Sequence, residues 1–261
     1  MGLRQESRVN DPDPIDLRDL LDHRDRSQLL FQLAEIVTDR TYLQHGIEVN
    51  PGDVVIDAGA NVGVAAAFFL TDCKAGEVHS FEPVPAIHEM LVDNLKTLPG
   101  ARTYEFGLSD SAGRADFTYY EGAAAMSSQY AVPARDHDMV KTVLLGMGLS
   151  EEQAEERIEG DFRPETVSCE LRTLSSVLDE QAIDRVDLLK IDVERAELDV
   201  LRGIEERHWP IIRQVVAEVH DEGDRLDEIR QLLTNHGFGF ELGQEDNMRA
   251  TDVFVLYARR N

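Results

Sequence analysis

The chain reads as an α/β fold built on a mostly parallel seven-stranded sheet that closes in a terminal antiparallel hairpin. Three observations predict it. Short β-branched runs alternate with helical patterns; residues 54–63, VVIDAGANVG, set a strand, a glycine turn and a helix start in immediate succession; and the last two strand patterns lie too close together for a helical crossover.

Residues 1–26 are polar and charged, carry Pro12 and Pro14, and are expected to form a flexible arm. From Ser27, which suits an N-cap, Leu29, Leu30, Leu33, Ile36 and Val37 recur at helical spacing. This helix is predicted to pack on the domain or cover its mouth. Residues 1–46 are therefore arm and helix, and 47–261 the main domain. Val54, Val55 and Ile56 suit a strand buried on both faces, and Asp57 closes it. Gly59 and Gly63 permit a tight turn, and the Ala-rich run from Val64 starts a helix whose free N–H groups face a ligand. The dinucleotide pattern GxGxxG is not met, because Asn61 stands where the second glycine belongs.

Residues 77–81 form the second strand, stopped by Glu82 and Pro83. Glu82 falls near the offset of roughly 20 residues after the first strand at which an acid meets ribose hydroxyls. Pro85 suits a first helical turn, and Ile87, Leu91, Leu95 and Leu98 line one face of the helix that follows. Residues 102–106 are a third strand, followed by a loop, GLSD at 107–110, from which Ser109 or Asp110 reaches an adenine. A strand-like run at 115–120 precedes a small, flexible stretch, GAAAMSSQY. Residues 131–165 then break the alternation with two helical patterns, 139–147 and 151–158, joined at Gly148, and are read as a helical lid insertion. The apolar strand 186–191, interrupted only by Lys190, ends at Asp192. Lys190 is expected to snorkel or to pair with an acid. A short helix at 196–204, a strand at 215–219 ending at His220, a helix stopped by Gly237, and strands at 238–242 and 253–257 complete the chain.

With 261 residues, 42% of them hydrophobic and a formal net charge of -25, the chain suits one good-sized domain that binds neither nucleic acid nor anionic membrane, since both require a cationic surface. Cys73 and Cys169 have no CxxC or histidine spacing and read as buried thiols. No apolar signal core, myristoylation pattern or membrane-length apolar run is present, so a cytoplasmic location is expected.

By the rule that βα loops gather at the carboxyl edge of a parallel sheet, Asp57, Glu82, Asp110, Asp192 and His220 share one rim. His220 is the base candidate: it titrates near neutrality, and the run AEVHD flanks it with acids that hold its tautomer. Asp192 and Glu194, one residue apart beyond a strand, orient an acceptor or cap the next helix. No metal is expected, because nothing specifies an octahedral set.

The ordered set VVIDAGANVG, FEPVP, GLSD, LLKIDVERAEL and AEVHD resembles the successive motifs of the FkbM family of methyltransferases, over most of the chain. The resemblance implies a class I methyltransferase, Rossmann-like fold and S-adenosylmethionine as cofactor. It implies O-methylation of a small-molecule or carrier-bound hydroxyl on a natural-product intermediate such as a polyketide, peptide or acyl chain. Residue by residue it implies cofactor contacts at Asp57, Gly59, Asn61, Glu82 and Asp110, with Tyr42 and Ser127 as secondary additions, and Gly63, Pro83 and Ser109 beside them complete the expected cofactor site. Asp192, Glu194 and His220 would face the acceptor. Arg195 departs from the family's common glycine and puts acceptor shape in question. The alternatives are a sugar O-methyltransferase, a nucleotide-dependent oxidoreductase and a non-catalytic cofactor-binding domain.

Overall fold

The computed structural model describes residue 17 and residues 26–260 apart from 147, 162, 245–247, 249 and 250. The arm predicted at 1–26, except residues 17 and 26, lies outside the described residues, as do the capping side chain of Ser27 and the predicted helix end at Met147. Parallel pairing begins at the β-branched run: β1 (Val54–Ala58) lies between β2 (Glu77–Phe81) and β7 (Leu188–Ile191), parallel to both. β3 (Ala101–Tyr104) extends the sheet beyond β2, and β8 (Gln214–His220) beyond β7. β10 (Val253–Arg260) then inserts antiparallel between β8 and β9 (Phe238–Gly243), so the seven-stranded order is β3-β2-β1-β7-β8-β10-β9.

Alternate residues of β1 feed different cores. Val55 belongs to one apolar cluster with α2 (Val64–Thr71) and α3 (Pro85–Leu95), while Ile56 and Ala58 belong to the other with α6 (Leu174–Glu180), α7 (Glu197–Arg202) and α8 (Arg225–Asn235). A sheet covered on both faces explains why its strands are continuous apolar runs. The N-terminal helix α1 (Arg26–Gln32), prolonged as a π-helix over Leu33–Thr38, buries Leu29, Leu33 and Ile36 in the first cluster.

A second sheet of three strands differs from expectation. The sequence GL in GLSD is not loop but a short strand, β4 (Gly107–Leu108), and residues 164–172, not recognised as a strand, form β6 (Pro164–Arg172). β6 pairs parallel with β4 and antiparallel with β5 (Gly113–Tyr120). The signal for β6 was period-two alternation, since Val167, Cys169 and Leu171 turn toward the core and the residues between them do not. Helices α4 (Pro133–Gly146) and α5 (Glu151–Asp161) sit at the far end of the β5–β6 hairpin, in the predicted insertion.

One charged group lies inside the main sheet. Lys190 of β7 is 2% exposed, and its Nζ is 3.0 Å from Asp57 Oδ1 and donates to the Gly59 carbonyl at 2.7 Å. Asp192 Oδ2 is 3.6 Å away. Burial favours the neutral amine, but the Asp57 and Asp192 charges override it and hold the Lys190 pKa above its ordinary value. Of the two expectations for Lys190, pairing with an acid holds and snorkelling does not, because Asp57 is at hand in the next strand. Removing one member of a buried pair leaves an uncompensated charge, so Asp57→Ala is expected to cost about 3–5 kcal/mol of unfolding free energy in urea. A loss below about 1 kcal/mol would contradict the pairing.

Candidate active site

The carboxyl ends of β1, β2, β7 and β8 open on a cavity of about 280 Å³, near the roughly 300 Å³ at which small-molecule sites begin. Its floor is the glycine turn. Gly59 has φ 76° and a β-carbon there would sit 1.7 Å from the Asp192 carbonyl oxygen, so no other residue fits. Asn61, also left-handed at φ 48°, turns its N–H to Glu82 Oε2 at 3.1 Å, while Val84 N donates to Oε1 at 2.9 Å. Burial pushes the Glu82 carboxyl up to about 7, against those N–H groups and the Lys190 charge.

On the other side, His220 closes β8 at 5% exposure. Its Nδ1 is 3.0 Å from Glu197 Oε1, which also accepts the Arg195 backbone N–H at 2.8 Å, and its Nε2 is 3.2 Å from Glu194 Oε2. Burial opposes protonation of the imidazole, but the Glu194 charge, its hydrogen bond and Glu197 prevail and hold the His220 pKa well above the ordinary histidine value. Asp192 accepts the Tyr42 hydroxyl at 2.8 Å. Burial, with Asp192 and Glu35 nearby, raises the Glu218 carboxyl well above its usual range despite the opposing His220 charge.

Of the residues singled out in the sequence, the cavity wall brings together Tyr42, Gly59, Asn61, Glu82, Pro83 and Ser127 with Asp192, Glu194 and His220. Asp57, Gly63, Ser109 and Asp110 are not on that wall. Asp57 is fully buried against Lys190; Gly63 packs against Leu91 and Leu95; Ser109 is tied by its N–H to the Arg172 carbonyl; and Asp110 accepts the Ser111 hydroxyl at an exposed turn. Nor do the acids adjacent to His220 in AEVHD hold its ring. The holders come from elsewhere, Glu194 from the turn after β7 and Glu197 from the start of α7.

Sequence reasoning missed Glu218 and Glu197. Glu218 was legible, two residues before His220 on the same strand face. Among the described residues, Glu194, Glu218 and His220 each bring one ligand atom within 4.8 Å of the others, a set of the kind that takes a divalent cation. An ion there would replace the proton between Nε2 and Glu194 and would require an ionised Glu218. The remaining wall is mostly apolar, with Phe31 and Ile36 from the N-terminal helical segment, Phe117 from β5, and Met139, Val140 and Leu144 from α4, interrupted by Gln32, Glu35 and Gln129.

Residues 57–240 match the methyltransferase FkbM domain, which is 70% of the chain or thereabouts. The chain belongs to the FkbM methyltransferase family. It is 37% identical over 240 residues to 31-O-demethyl-FK506 methyltransferase FkbM of Streptomyces tacrolimicus, covering 91% of this chain and 92% of that protein. It is 34% identical to methyltransferase sdnD of Sordaria araneosa, covering 88% of this chain and 89% of that protein. A segment of the antimetabolite synthetase AmbE of Pseudomonas aeruginosa is 35% identical over 87% of this chain, and that segment is 11% of AmbE.

In this FkbM methyltransferase the charge state of His220 reports the placement of its two carboxylates. Titration of the imidazole by NMR is expected above the ordinary value of about 6.5, and Glu197→Gln, which removes one of the carboxylates that raise it, is expected to lower it. A wild-type midpoint at or below the ordinary value would contradict the arrangement.

Proposed function

We propose that this FkbM methyltransferase moves a methyl group from S-adenosylmethionine to a hydroxyl oxygen of a natural-product intermediate with an apolar body. The observation that carries the reading is the cavity itself, which sets a buried histidine held by two carboxylates between a glycine turn and an apolar wall. The donor set fits the cofactor. Glu82 has lone pairs left for hydroxyls, the Asn61 turn lies beside it, and the Asp192 and Glu194 carboxylates on the same wall would favour a cationic group. Phe81, Leu108 and Leu171 offer apolar surface to a flat base. When bound, the cofactor supplies an electrophilic methyl on a cationic sulfonium.

The chain's own residues handle the proton. Glu197 accepts from Nδ1 and thereby leaves Nε2 as the atom that faces the acceptor. Glu194, now at Nε2, shares or cedes that place to the substrate hydroxyl and steadies the imidazolium that forms. Because the His220 pKa is raised, the ring carries its proton at neutral pH, so turnover needs a pH high enough to free it. The apolar wall favours a lipophilic acceptor over a sugar, and the names of the most similar relatives support a methyltransferase over the oxidoreductase reading. No helix among the described residues is long and apolar enough to cross a membrane, which suits an acceptor met in solution or on a carrier.

Calorimetric titration with S-adenosylmethionine and S-adenosylhomocysteine tests the cofactor, and product formation across pH tests the base. Glu82→Gln is expected to weaken S-adenosylhomocysteine about tenfold, the loss of a charge-assisted hydrogen bond. His220→Ala is expected to lower turnover by about a hundredfold or more with little change in that affinity, and wild-type kcat/KM is expected to rise with pH through a midpoint above the ordinary histidine value. A folded wild type that binds neither molecule, or a His220→Ala variant with wild-type turnover, would overturn the proposal.

A further inference from the structure

Helix α4 forms the apolar wall through Met139, Val140 and Leu144, yet it packs chiefly on its insertion partner α5 and not on the main sheet. Its attachment to the catalytic edge is polar. Asp136, in the first turn of α4, is fully buried and accepts from the Arg195 guanidinium at 2.8 Å and from the Tyr120 hydroxyl at 3.0 Å. Arg195 is itself 4% exposed and lies in the turn between β7 and α7. Its Nε makes a 2.9 Å ion pair with Glu222, without hydrogen-bond alignment, and the same Glu222 oxygen accepts from Arg135 of α4 at 2.6 Å. The Arg135 contacts are half-exposed and so contribute little. The buried tie between the lid and the turn that carries Glu194 is Arg195 to Asp136.

The backbone makes this arginine costly. Arg195 has φ 77° and follows Glu194 at φ 50°, a conformation that glycine adopts without steric penalty and a long side chain does not. Glycine would therefore suit the turn better. What arginine adds is the guanidinium, and the guanidinium reaches the inserted helix.

We propose that Arg195 is the positioning residue that holds α4 closed as the acceptor wall, acting through Asp136. Its side chain fixes the lid, while its backbone N–H, through Glu197, belongs to the support of His220. The two roles are separable: a substitution keeping the N–H frees the lid and leaves the base supported. The inference rests on the reading above only in taking the apolar wall as the acceptor side.

The test is hydrogen–deuterium exchange over residues 133–146 in the full chain, for wild type, Arg195→Gly, Arg195→Lys and Asp136→Asn, with S-adenosylhomocysteine affinity measured beside it. In Arg195→Gly the segment is expected to exchange about tenfold faster or more, while β1 and β8 stay protected. Arg195→Lys, which keeps a charge but loses the fork, is expected to recover part of the protection. Asp136→Asn weakens the Arg195 contact from the lid side while leaving an oxygen for the Tyr120 hydroxyl, and combined with Arg195→Gly it is expected to add less than the sum of the two, because both disrupt the Arg195–Asp136 contact. Affinity for S-adenosylhomocysteine is expected to stay within about twofold, since a group outside the cofactor contacts acts independently. Unchanged exchange at 133–146 in Arg195→Gly and Asp136→Asn would overturn the proposal, as would an equal rise throughout the sheet. Should Arg195→Gly fail to fold, Asp136→Asn and Arg195→Lys give the same readout. If wild type binds no S-adenosylhomocysteine, the functional reading fails and the exchange result still decides the latch.

Discussion

Everything at the carboxyl edge of the sheet depends on Lys190. An ammonium group in the middle of an apolar strand is tolerated only because Asp57 of the neighbouring strand and the Gly59 carbonyl take up its charge and its protons. Those contacts pin the end of β1 and the start of the glycine turn to β7, and the turn in turn presses against the Asp192 carbonyl so closely that a β-carbon has no room. The wall that carries Asn61 and Glu82 is thereby fixed relative to the one that carries Asp192 and Glu194. A turn held this way presents its groups with little reorganisation left to make.

The same edge concentrates acid. Glu82, Asp192, Glu194 and Glu218 share one cavity, with His220 and Lys190 beside them. Burial raises the carboxyls of Glu82 and Glu218, while the Glu194 and Glu197 carboxylates keep His220 charged against burial. A histidine held this way takes a proton strongly and gives it up with difficulty. A cation placed among these carboxylates would ease their mutual repulsion, which ties binding to the charge state of the site.

Local patterns carried the legible part of the fold. The β-branched run with its glycine turn, the Pro85 helix and the terminal hairpin each lie within a few residues of their own signals, and the family motifs follow their order. Lys190 stood out for the same reason, as a charge where an apolar residue belongs. The second sheet was harder to read, because β6 begins inside the stretch taken for an insertion and its half-exposed alternation is weak beside a buried run. Within the site, positions on strand ends were legible and partners were not. That Asp57 turns to Lys190 and away from the cavity, that Glu197 holds His220, and that Asp136 receives Arg195 are all consequences of packing between segments far apart in the chain.

The central claim is that the glycine turn, Glu82 and the β7 end form one cofactor wall facing His220. Amide chemical-shift mapping of the protein titrated with S-adenosylhomocysteine tests it most directly. Saturable shifts are expected at Gly59, Asn61, Glu82, Ser127 and Asp192, with Asp110 and the opposite sheet edge at Asp187 unmoved. Saturable shifts confined to the groove beside His45 and Tyr257, or no shifts in a folded protein, would contradict it.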